Sequence, residues 1–110
     1  MNSPDRFPDE ALDQVLLLLG RVADAFCAIL GPTAEMVVHD LRRPDNSVVS
    51  ISGNLTGRRV GSPIPDPAFL PEQLTQITED QVDYPTRTPL GEVLRSSTVF
   101  VRNLDGKIAG

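Results

Sequence analysis

The chain has 110 residues, room for one domain with one modest core and not for two. Hydrophobic residues make up 40% and charged residues 23%, the balance of a globular protein and not of a disordered tail. With 15 acidic against 10 basic residues the net charge is -5, so the domain repels a phosphate backbone and is not read as contacting nucleic acid itself.

The opening residues 1–8, "MNSPDRFP", carry early prolines and an acid instead of a basic region followed by an apolar run. They are read as a flexible lead and not as a secretory signal. From residue 9 the apolar recurrence predicts an amphipathic helix to about residue 30, stopped by Gly31-Pro32. Its longest aliphatic run, "VLLLL", is far too short to span a membrane. Leu12, Val15, Leu19, Val22 and Phe26 share a face of this helix, which holds more apolar surface than one small sheet covers. That face is expected to pack the helix and to meet a second copy, making a homo-oligomer. Gly20 costs about 1 kcal/mol of helix propensity relative to alanine and so marks close packing. Cys27, the one cysteine, has no partner for a disulfide and is read as an inert buried thiol in a reducing, cytoplasmic setting.

Next come two Val- and Ile-rich segments, 35–41 and 47–52, joined by the turn chemistry of "RRPDN"; they predict an antiparallel hairpin. The only histidine, His39, lies in the first segment beside Asp40. Neighbours on a strand face opposite ways, so His39 shares a side with Glu35, Val37 and Leu41, and Asp40 with Met36 and Val38. The adjacent pair is therefore no dyad, and Asp40 is expected to accept backbone or arginine hydrogen bonds.

Beyond residue 53 the pattern loosens into glycine- and proline-rich turns, with a short helix expected to begin near Pro71 and "YPTRTPLGEV" read as turn-like. Regularity returns at residues 95–102, where Val99 and Val101 fall on one side of a predicted strand. A turn at Leu104-Asp105-Gly106 then starts a return over Lys107 to Gly110, which is too short to cover that strand and reads as an incomplete domain.

Taken in order, the blocks "LGP", "VVHDL", "GNLTGRRVG" and "LRSSTVFVRN" followed by "DG" resemble the YheO-like PAS domain at the N-terminus of a family of bacterial transcriptional regulators, some concerned with D-amino acid use. The resemblance covers about residues 10–110. It implies an α+β fold, a PAS-like curved antiparallel sheet of about five strands with helices on one side, here incomplete at the C-terminus. It also implies a sensory or dimerising module, with DNA binding supplied by a separate helix-turn-helix region that this chain lacks.

The resemblance sets His39 beside a cavity, so His39 is either a hydrogen-bonded core residue or a contact to a small ligand. Asn54, Thr56 and Arg58 in the glycine-rich loop, and Ser96, Ser97 and Thr98 in the late strand, are candidates to line the same pocket. Their chemistry suits a small anionic or amino-acid-like ligand held by a guanidinium and hydroxyls. Each has a plainer reading too, as ordinary turn or strand polarity. The loop lacks the spacing of a phosphate-binding motif, no metal-ligand set is present, and no nucleophile is paired with a base. No catalytic residue, metal or cofactor is therefore assigned, and the chain is not read as an enzyme.

Overall fold

A computed structural model describes residues 6–64, 79–88 and 90–110. Strand β1, Arg6–Phe7, leads into helix α1, Asp9–Leu30. Pro8 stands in extended conformation at the N-cap, where its missing N–H costs nothing, and Asp9 and Glu10 in the first turn complement the positive end of the helix dipole. Gly31, at φ 81°, ends the helix and donates its N–H to the Cys27 carbonyl at 2.9 Å.

The helix buries the stripe Leu12, Leu16, Gly20 and Ala23 against an antiparallel hairpin of β2, Met36–His39, and β3, Val48–Ser52. This differs from the face expected to pack. Of that face only Leu12 is fully enclosed; Leu19 and Val22 are each 37% exposed and Phe26 53%. The apolar arc is wide enough to hold two neighbouring stripes, and the small residues decide which one meets the sheet. A Cβ on Gly20 would stand 2.7 Å from Ser50 Oγ, so the hairpin approaches where the helix has no side chain. In the hairpin Val38 pairs with Ser50, and a bulge follows between Val38 and His39.

The core joins Leu12, Leu16, Val38, Val101 and Ala109, with Phe7, Val15 and Val49 packed around it. Arg6 and Phe7, expected within the flexible lead, pair in parallel with β6, Arg102–Asn103. After β6 the chain turns, and Ile108 bridges back to Arg102 in the expected antiparallel sense. The last residues then run into the body: Leu41 N–H donates to the Ala109 carbonyl at 2.8 Å. At Gly110 a Cβ would lie 2.7 Å from the His39 carbonyl and 2.9 Å from Leu16 Cδ2.

A separate ribbon pairs β4, Gln81–Arg87, with β5, Val93–Thr98. The stretch around Pro85 was expected to be turn-like; instead Tyr84, Thr86 and Arg87 lie opposite Ser96, Leu94 and Val93. Among the described residues β4 has no other strand neighbour, which is the setting a strand proline tolerates. The long strand expected over 95–102 breaks after Thr98: Val99 is 68% exposed and Val101 only 7%. The short helix expected near Pro71 lies outside the described residues. One α-helix, two antiparallel strand pairs and the short parallel pair β1–β6 give an α+β, PAS-like arrangement among the described residues.

Candidate functional site

Glu35 organises the loop that follows β3. Its carboxylate accepts from the N–H groups of Leu55, at 2.7 Å, and Thr56, at 2.9 Å, and from the Thr56 hydroxyl at 2.7 Å. Gly53 makes the entry possible: its φ is +88°, and a Cβ there would sit 2.2 Å from the Ala34 carbonyl oxygen. Burial alone would raise the Glu35 pKa, but the hydrogen bonds from Thr56 and Leu55 and the charge of Arg58 outweigh it and hold the carboxyl below its ordinary value. The Arg58 N–H reaches Thr56 Oγ1 at 3.4 Å, so the loop is nailed down up to Arg58.

His39 closes β2, just past the bulge. Its Nδ1 shares a 2.8 Å hydrogen bond with Ser47 Oγ, and Ser47 is wholly enclosed. Burial, and then the nearby Arg58 cation, lower the imidazole pKa and favour the neutral ring. Arg58 forms no ion pair among the described residues. Thr56 is thus bonded to Glu35, the charge of Arg58 acts on both Glu35 and His39, and Asn54 is an exposed residue of the same loop.

Ser96, Ser97 and Thr98 are not part of this cluster. Ser96 bonds Thr86 at 2.6 Å, Thr98 bonds the Tyr84 hydroxyl, and Ser97 Oγ accepts the Asp83 N–H at 3.0 Å, all within the ribbon. Glu35 was placed on the His39 side of the strand by alternation alone. The signal for its role was a carboxylate four residues from His39 in a chain whose next loop offers N–H groups among glycines.

Asp40 points the other way, to the helix side. It accepts from Arg42 Nε at 2.9 Å, Arg42 Nη2 at 3.0 Å and the Arg42 N–H at 3.0 Å, with Arg43 Nε at 3.4 Å. These bonds outweigh burial and hold its pKa down, while Asp40 and Asp13 raise that of Arg42. An open groove of about 750 Å³ runs along this side, floored by Leu16, Gly20, Val49 and Ser50. His39, Thr56 and Arg58 do not line it. Cys27 Sγ donates weakly to the Ser52 carbonyl, and the Ser52 hydroxyl donates to Asp24. Among the described residues no group of three His, Cys, Asp or Glu is placed to hold a metal, and no helix is long and apolar enough to cross a membrane.

A helix laid on an antiparallel hairpin, with a further antiparallel strand pair, is a PAS-like α+β arrangement. Residues 10–110 match the YheO-like PAS domain, and the chain belongs to that family. It is 31% identical over 112 residues to an uncharacterized protein of Haemophilus influenzae, covering 100% of this chain and 51% of that protein. It is 30% identical over 110 residues to the uncharacterized protein YheO of Escherichia coli K12, covering 96% of this chain and 46% of that one. The same figures hold for YheO of Shigella flexneri. The chain therefore spans about half the length of the curated relatives it matches. No solved structure matches it.

Proposed function

We propose that this chain is the small-molecule-sensing and dimerising domain of a cytoplasmic bacterial transcriptional regulator, with DNA contacts made by another region of that regulator. The observation that carries the reading is the open face of α1. The helix supplies the core with one stripe while leaving Leu18 at 56%, Phe26 at 53%, Ile29 at 83% and Leu30 at 58% exposure beside it. A contiguous apolar patch of that kind marks a protein interface. The net charge of -5 fits a domain that leaves the phosphate backbone to another region.

Sedimentation equilibrium tests the association: the chain runs as a dimer, and Phe26→Glu, a change at a half-exposed site, gives a folded monomer. A wild-type monomer at high concentration ends the dimerising reading. For sensing, the supporting observation is Arg58, which makes no ion pair among the described residues and lies near His39, a cation suited to a small carboxylate. Titration calorimetry with amino acids and short carboxylic acids should give heat in the wild type that Arg58→Ala loses. Equal heats in both remove Arg58. Silence across the panel favours the second reading, a purely protein-binding domain, which the self-satisfied hydroxyls of the ribbon also suit.

A further inference from the structure

The open stripe of α1 has a period and an asymmetry that say how a second copy sits on it. Leu18, Val22, Ala25 and Ile29, all exposed, recur at spacings of four, three and four, the pattern of a seam between two helices. Its two flanks differ. Leu19, Phe26 and Leu30 border it on the side of the chain's own hairpin, while Gln14, Arg21 and Ala28 border it on the other, all of them exposed. A specific interface has to bury about 1,000 Å² in total. Leu18, Leu19, Val22, Phe26, Ile29 and Leu30, between 37% and 83% exposed, reach that order when contributed by both copies.

In a parallel helix pair each flank meets the opposite flank of its partner, whereas in an antiparallel pair each meets its own kind. A parallel pair would set Leu19 and Phe26 against Gln14 and Arg21. An antiparallel pair sets the apolar flank on itself and leaves Gln14, Arg21 and Ala28 at a wet rim, where like charges are screened.

We infer that two copies of this chain pair antiparallel through α1, about a two-fold axis near Val22. Val22 then lies at the axis, and Leu19 meets Phe26 of the partner subunit. This rests on the dimerising reading and adds the geometry to it. The axis brings both β2–β3 hairpins to the same side of the helix pair.

Spin-label distances test it in the full chain with Cys27→Ser as background. With one label at Gln14→Cys, the antiparallel pair gives a separation of about 25 Å, from 1.5 Å of rise per residue, and a parallel pair gives about 10–15 Å. Mixing Gln14→Cys with Ala28→Cys reverses the pattern, short for antiparallel and long for parallel. Short Gln14 distances, or long distances in both samples, overturn the inference while the dimer stands. A monomer by sedimentation with no dipolar signal overturns the inference and the dimerising reading together.

Discussion

Val48 in β3 and Val93 in β5 are the same residue in the same kind of antiparallel pair, yet one is 1% exposed and the other 61%. The body built by α1, β2 and β3 encloses both its apolar stripe and its polar groups: Asp40, Ser47 and Ser52 are buried, and each has a partner. No residue of the β4–β5 ribbon is buried. It is held by backbone pairing, hydroxyl pairs such as Thr86 with Ser96, and the exposed ion pair of Arg95 with Asp83. A two-stranded ribbon is marginal in water without a covering layer, so the two regions differ in local stability although their backbones look alike.

The sharpest way to break this division is to cut the body. Leu16→Ala should lower the free energy of unfolding by about 2–5 kcal/mol, measured by urea titration, because its side chain is enclosed between α1 and β2. A loss below 1 kcal/mol would mean that the body is not closed. Asp40→Ala should cost about 2–3 kcal/mol by the same measure; the carboxylate is buried, but Arg42 is one-third exposed and recovers part of its hydration.

Acid should separate the regions next. The folded His39 pKa lies below its unfolded value, so the unfolded chain binds the proton first. The stability that neutral His39 contributes is complete above pH about 6.5 and declines as pH falls through the folded pKa. Glu35 and Asp40, also held low, add a second decline below pH about 4. His39→Gln should flatten the upper limb of a stability profile and leave the lower one.

In the ribbon, Thr86→Val should change global stability by less than about 1 kcal/mol while speeding amide exchange across residues 81–98. Smallest of all, Arg95→Ala should cost under about 0.5 kcal/mol and nothing in high salt, since both partners are exposed. Ribbon amides as protected as those of β3 would erase the distinction.

The same division governs what the amino-acid sequence reveals. Helix α1 and the β2–β3 hairpin are legible because their apolar recurrence is long and their stops, Gly31-Pro32 and the "RRPDN" turn, are local signals. Which part of the helix arc meets the sheet is not, because Leu12-Leu16-Ala23 and Leu18-Val22-Ile29 are equally apolar; Gly20 is the one local hint. Strand β4 is hidden by Pro85 and by residues whose pairing with β5 is decided across a turn. The cluster at His39, Thr56 and Arg58 is half legible: the residue types stand out, but Glu35 joins them through backbone N–H groups that no side-chain pattern announces. Ser96 to Thr98 depend on where a whole ribbon lies, which no local pattern encodes.

The close seat of Gly110 wedges residue 110 between α1 and the end of β2. Leu16 bears on the chain's last residue at one side of the helix, while Leu18 and Ile29 look outward at another. Glycine at 110 supplies the clearance, so Gly110→Ala would force the His39 carbonyl and the Leu16 methyls aside and loosen the seam between helix and hairpin.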